Sequence, residues 1–451
     1  MSVSSQLDSL ESAWALSDTF FADNSIERQA LCRPISLRNP FIFYFGHLPS
    51  FAWITLRPLL NANALHPTFD DLFSRGIDPD VEDPTECHDH PAAPVKWPSW
   101  SEVLSYRDAV RTQVRERIAA QADDTKELAH TIRLVAEHEA MHVETLHYML
   151  AQQQRPTKNC CLRDAERPQR EFRDDKPPCY TWIEVEGADV PLGVPSHRGF
   201  HWDNERNAAS AGVTSFSIAQ HAVSVGDFLR FVRAGGYLRR ELWSKGHWAW
   251  ICREGMQHPL SWMCNGDGAM EGDIHVLTSV GPGMEGHGAR VDYADMLQWP
   301  VSVSLAEALA YAKWSGASLP SEPQWLLAAY GNEGARGNGG HVDVMTGRLH
   351  SVSTGCLSTG GAVGLVGNGW ELTTTLFEEF EGFRPTERYP EYSKDFFDSK
   401  HYVLKGASWV THEILVRGSF RNFFQAMYPY VFSKFRLVLP QAGDGEGRSD
   451  E

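Results

Sequence analysis

The sequence predicts two domains of different class, an all-α four-helix bundle followed by an α+β, coil-rich domain, and three observations carry that prediction. Residues 1–155 hold four long runs with apolar side chains at helical spacing. Residues 156–185 are charged and punctuated by proline, the composition of a linker. From 186 to 440 the texture changes to short apolar runs separated by Gly, Asn and Asp and rich in aromatic residues. The remaining stretch, 441–451, is acidic and glycine-rich and is predicted to be disordered.

The elements follow in order. "QLDSLESAWALSDTFF" has helical periodicity, and "NPFIFYFGHLPSFAWITLRPLL" starts after Asn-Pro and is apolar nearly all round, as a helix in the middle of a bundle must be. "SWSEVLSYRDAVRTQVRERIAAQ" opens on a serine that can cap it, and "DTKELAHTIRLVAEHEAMHVETLHYMLAQQQ" is the longest pattern, with Asp and Thr at its start. Residues 64–98 form a long excursion between the second and third helices, and its "FSRGIDPDVEDPTE" is too rich in Asp, Pro and Gly for a regular element. In the second domain two helices are predicted, "SVGDFLRFVRAGG" and "SLAEALAYAKWSGASLP".

Composition limits function. With 41 basic against 58 acidic side chains the net charge is −17, and no basic cluster stands against it, so nucleic acid is excluded as a partner. The N-terminus has no basic and apolar leader pattern and no run of about 18 apolar residues occurs, which leads us to expect a soluble, cytoplasmic protein without a membrane partner. Eight cysteines are scattered without a C-x-x-C pair, so reduced thiols are expected. "ECHDH" (Cys87 to His90) has metal-capable side chains but no second ligand pair at zinc-finger spacing, and reads as a surface loop.

The most informative stretch is "HEAMHVETLH" (138–147), which contains the zinc-protease pattern H-E-x-x-H. On a helix His138 and His142 lie roughly 40° apart and can reach one ion, whereas Glu144 and His147 are turned roughly 240° and 180° from His138. A third ligand must come from another helix. His47, set among Phe43, Tyr44, Phe45, Leu48 and Phe51, is either that ligand or a core histidine bonded to a carbonyl. A protease would continue with Gly and His where this chain has Thr145 and Tyr148, so Glu139 is not expected to act as a zinc-protease base.

Across nearly the whole chain the sequence resembles the sulfoxide synthases of ergothioneine biosynthesis, in which a DinB-like bundle precedes a formylglycine-generating-enzyme-like domain of C-type-lectin-like fold. The resemblance rests on "RNPFIFYFGHLPSF", "RGIDPDVEDP", "HEAMHVETLHYML", "FHWDNE", "GGYLRRELWS", "WPVSVSLAEALAYAKWSGASLPSEPQWLLAAY", "GNGWELT", "YPEYSKDFFDSKHYVLKGASW" and "SFRNFFQAMYPYVFSKFRLV". It looks most like the fungal form without its methyltransferase. The resemblance implies a non-haem iron(II) held by His47, His138 and His142, an enzyme, and small-molecule substrates: O2, a thiol (cysteine or γ-glutamylcysteine) and hercynine. It implies C–S bond formation at the imidazole together with sulfoxide formation, Tyr389 of "YPEYS" as proton donor, and Tyr392, Arg421, Asn422 and Met141 near the substrate. Three neutral imidazoles suit an octahedral divalent iron with positions left open.

This chain departs from the common pattern at Ala140 and Met141, where bacterial members have two glutamines, at Gly369 in "GNGWELT", and at Lys405 in "KGASW". Sister chemistries stay open: histidine with cysteine as in ovothiol-type synthases, hercynine with a selenosugar, or a non-catalytic binding relative. A copper-dependent formylglycine-generating enzyme is disfavoured, since no cysteine follows Cys356.

Overall fold

The computed structural model of the protein describes residues 2–121, 125–153, 176–195, 199–207, 209–264, 274–277, 293–337, 358 and 361–439. The predicted tail and the first part of the predicted linker, to residue 175, lie outside them. The bundle is built from α1 (Val3–Phe21), α3 (Phe41–Leu56), α5 (Trp100–Ala119) and α6 (Lys126–Gln153), with short α2 (Asn24–Arg28) and α4 (Pro67–Leu72) between them. α1 lies along α6, and α3 packs on both α5 and α6. That central position explains why nearly every side chain of α3 is buried. Ser99 caps α5 reciprocally with Glu102, as its sequence predicts. The excursion is not wholly irregular: α4 interrupts it, anchored where Ser50 donates to the Asp70 carbonyl and the Asp70 carboxylate accepts from Arg57 and Tyr106.

The second domain begins with β1 (Trp182–Val185), inside the predicted linker, and continues through β2 (Ala188–Pro191), β3 (Ser210–Val213) and β4 (Phe216–Ala219). β1 pairs with β4 and β2 with β3, both antiparallel. Then come α7 (Val225–Arg233), α8 (Lys245–Arg253), β5 (Trp262–Cys264), β6 (Ile274–Val276), α9 (Tyr293–Leu297), α10 (Leu305–Ser315) and α11 (Glu322–Tyr330). Three of these helices, α8, the five-residue α9 and α11, correct the sequence expectation, which held only α7 and α10. α11 carried a legible signal, the Ser321–Gln324 capping box with a proline in the first turn. α8 is short and its apolar stripe is interrupted, so periodicity alone does not reveal it.

A four-stranded sheet closes the domain, in the order β10 (Ser433–Lys434), β7 (Gly369–Leu376), β8 (His401–Ala407), β9 (Asn422–Gln425), with only the β10–β7 pair parallel. α12 (Glu391–Lys394) lies between β7 and β8 in sequence. β7 starts at Gly369 with φ of 123°, where a Cβ would also meet Lys434 at 3.2 Å, so the departure to glycine in "GNGWELT" has a backbone cause. One continuous apolar core runs through both domains, and a smaller one lies under β1, β4 and α11. No helix among the described residues is long and apolar enough to cross a membrane.

Polar groups fasten the domains together along α6. Glu137 accepts from Arg133 on its own helix and from Arg417 and Trp202 of the second domain. Arg417 also donates to Glu205 at 2.5 and 2.8 Å. Two residues beyond His142, Glu144 accepts from Trp370, Ser408 and Thr411, all of the second domain. Both glutamates are buried and both are saturated by donors.

Candidate metal centre

Three imidazoles meet between α3 and α6. The Nε2 atoms of His47 and His142 are 3.2 Å apart and those of His142 and His138 are 3.1 Å apart. All three donor atoms fall within 4.8 Å of one another, and this is the one such group of His, Cys, Asp and Glu among the described residues. Two nitrogens sharing an ion at about 2.1 Å stand about 3.0 Å apart at right angles and about 3.4 Å apart at the tetrahedral angle, which brackets the observed spacing.

The tautomers support this. His47 Nδ1 lies 2.7 Å from the Phe73 carbonyl, to which it donates, so its Nε2 presents a bare lone pair to His142. A single proton on His142 Nε2 could serve only one of its two neighbours, whereas a cation at the centre accepts from all three. Burial lowers the pKa of His47 to about 4, and burial together with the neighbouring imidazoles holds His138 and His142 well below the ordinary value. The imidazoles are therefore neutral at neutral pH, the form that ligates. His142 Nδ1 is buried without a hydrogen-bond partner among the described residues.

The two readings of His47 prove compatible: the carbonyl bond that a core histidine makes is what aims this one. Its geometry depends on Gly46, where a Cβ would lie 2.6 Å from the Phe73 ring. Without that Cβ, Phe73 packs flat on α3 and its carbonyl reaches His47. Phe43 stacks on His47 with centroids 5.2 Å apart, and Phe51 on His138 at 3.5 Å. Glu139 points away, toward α1, where Ser17 donates to it at 2.5 Å and Arg111 stands 3.5 Å off. His147 packs against Phe20 of α1, on the far side of α6.

The cluster opens on a cavity of about 180 Å³ between the domains. Met141, Tyr389, Tyr392 and Asn422 line it together with the three histidines. The Tyr389 ring lies 5.9 Å from that of His138, and burial pushes its phenol up to about 12. Tyr392 stacks on Trp202 at 3.9 Å and donates to Met141 Sδ at 3.4 Å. Arg421 is placed elsewhere: its guanidinium is buried against Glu322, donates to the Glu378 carbonyl and lies over Phe380, because the sheet edge at β9 turns it away from the cavity that Asn422 faces. His88 also departs from expectation. It lines the cavity and bonds the Gly76 carbonyl at 2.8 Å, while Cys87 is half-buried. Sequence reasoning missed Arg38 and Asp78, which lie on the cavity wall within two of the segments that carry the resemblance.

Residues 168–440 match the sulfatase-modifying factor enzyme 1-like domain, and residues 9–146 match the DinB superfamily. The chain belongs to the sulfatase-modifying factor enzyme 1-like family. In this member a DinB-superfamily bundle precedes the family domain and supplies all three histidines. The chain is 30% identical to Ergothioneine biosynthesis protein 1 of Schizosaccharomyces pombe, over 90% of this chain and 52% of that one. It is 28% identical to the Neurospora crassa protein of the same name, over 96% of this chain and 57% of that one. Hercynine oxygenase of Mycobacterium tuberculosis is 29% identical over 57% of this chain and 58% of its own length. The chain thus spans little more than half the length of these relatives.

Proposed function

We propose that this protein catalyses O2- and iron(II)-dependent C–S bond formation between a thiol, cysteine or γ-glutamylcysteine, and the imidazole of hercynine, giving a sulfoxide in ergothioneine biosynthesis. The observation that carries the reading is the convergence of three neutral imidazoles on a cavity walled by both domains. The names of the relatives, which speak of hercynine and ergothioneine, agree with it. When bound by His47, His138 and His142, iron(II) supplies the redox chemistry that no side chain here provides. The reaction balances: the thiol S–H and the imidazole C–H are lost, S–C and S–O bonds form, and the second oxygen atom leaves as water.

The protein's own groups have definite tasks. A phenol held near 12 stays protonated at neutral pH, so Tyr389 can donate a proton toward the oxygen chemistry beside His138. Tyr392, Met141 and Asn422 shape the wall against which the imidazole substrate rests. Closure by the second domain keeps bulk water from the reacting groups.

Anaerobic protein loaded with Fe(II), given hercynine with cysteine or γ-glutamylcysteine and then O2, is expected to yield a sulfoxide by mass spectrometry. Turnover only with histidine or a selenosugar would move the assignment to a sister reaction. Tightly held zinc with peptide hydrolysis would sink it. Tyr389→Phe is expected to keep iron binding and shift product from sulfoxide toward the oxidised thiol; an unchanged product ratio removes Tyr389 from the proton-donor role.

A further inference from the structure

We propose that Arg38 and Asp78 form a subsite for an α-amino-acid head group, an α-carboxylate beside an α-ammonium, at the His142 end of the cavity. The inference rests on the proposed use of the cavity by a thiol amino acid and names the residues that hold its head. Both side chains line the cavity and are largely enclosed, with exposures of 13% and 21%. Arg38, Asp78 and His142 line the same cavity.

The pair is incompletely satisfied. Arg38 Nε is fixed by Tyr428 Oη at 2.8 Å and the guanidinium lies over the Tyr428 ring at 5.1 Å. Among the described residues its outer nitrogens reach only the Ile77 carbonyl at 3.5 Å and Asp78 at 3.3 Å. A charge-assisted bond is about 2.8 Å, and the wholly structural Arg436 meets Glu371 at 2.7 and 2.9 Å. One edge of the Arg38 fork is thus anchored, and the other is held loosely beside a carboxylate. That is the complement of a zwitterion: a carboxylate takes the outer guanidinium nitrogens and an ammonium donates to Asp78, each replacing a long contact with a charge-assisted one.

Chemistry also separates the two ends. A quaternary ammonium has no N–H to give Asp78 and is better met by ring faces, which Tyr389 and Tyr392 offer on the His138 side. Hercynine has a carboxylate for Arg38 but no N–H for Asp78, so the two charges together are assigned to the thiol's head group.

The test uses iron(II)-loaded full-length protein without O2, in the presence of hercynine, titrated calorimetrically with cysteine, cysteamine, which lacks the carboxylate, and 3-mercaptopropionate, which lacks the ammonium. Arg38→Lys is expected to weaken cysteine and 3-mercaptopropionate about tenfold or more and to spare cysteamine. Asp78→Asn is expected to weaken cysteine and cysteamine similarly and to spare 3-mercaptopropionate. Hercynine affinity and iron content stay at wild-type values in both. Equal effects on all three thiols, no effect, or a loss confined to hercynine overturns the subsite. Should Arg38→Lys fail to fold, the isosteric Asp78→Asn decides with the same three thiols. If the wild-type protein binds no thiol at all, the C–S bond-forming reading itself falls.

Discussion

Two sets of buried polar side chains sit on the same helix, α6, and their surroundings are opposite. Glu137 and Glu144 are saturated by donors from the second domain, with contacts of 2.5 to 3.0 Å. His138 and His142, between them in sequence, face each other at hydrogen-bonding distance, and His142 so faces His47, with lone pairs that no donor among the described residues satisfies jointly. A buried polar group whose partner the chain itself supplies is architecture; one whose partner the chain withholds marks a place for something else. By that criterion the glutamates fasten the domains and the histidines await an ion.

The contrast can be broken by substitution. The largest effect is expected at the imidazoles: His138→Ala should lower iron affinity by more than about a hundredfold, beyond the loss that removing an outer-shell partner causes. Metal analysis of the purified variant checks this, and iron retained at wild-type stoichiometry would falsify the ligand set. On the other side, Arg417→Met leaves Glu205 buried without its arginine and Glu137 with Arg133 alone of its two arginines, and should cost about 3–5 kcal/mol in chemical denaturation. A variant that loses iron but keeps its stability would reverse the two roles.

Gly46→Ala sharpens the boundary between the sets, because it touches neither. Its Cβ must displace the Phe73 ring, at a cost of about 1–3 kcal/mol, and the shifted carbonyl releases His47. Weaker iron binding together with a lowered melting temperature is the expected outcome; a lowered melting temperature alone would mean that the carbonyl does not aim the ring.

The smallest effect is in pH dependence. Burial pushes Glu205 up, but Arg417 outweighs it and holds the carboxyl far below the 4.5 of a free glutamate. A depressed pKa gives stability that is complete above about 4.5 and is lost as pH falls toward the folded value. In Arg417→Met the same carboxyl keeps its burial cost with only His201, Trp202 N–H and Ser419 against it, so the loss of stability on acidification should shrink. Melting temperatures between pH 7 and 3 read the sign, and parallel curves for the two proteins would dismiss the clamp.

Legibility in the sequence followed the range of the interactions. The helices of the bundle could be read from local spacing and caps, and the His138–His142 pair from the pitch of one helix. His47 stayed ambiguous because its role depends on Phe73, a residue in the excursion whose approach only Gly46 permits. Arg421 and Asn422 are neighbours in sequence, yet one is buried against Glu322 just before β9 and the other, the first residue of that strand, faces the cavity. Arg38, Asp78 and His88 carried no periodic signal, since loops reach a site by paths that no local pattern encodes.

By itself the sequence determined the two-domain division, from its change of texture, and the long helices of the bundle and a histidine pair placed to share an ion, from spacing within a single element. Only the tertiary structure decided which histidine completes the set, which carboxylates fasten the domains and which charges remain loosely held in the cavity. Those depend on atoms tens to hundreds of residues apart being brought within 3.3 Å, by packing inside the bundle for the histidines and for Arg38 with Asp78, and by the packing of the two domains on a shared core for the carboxylates.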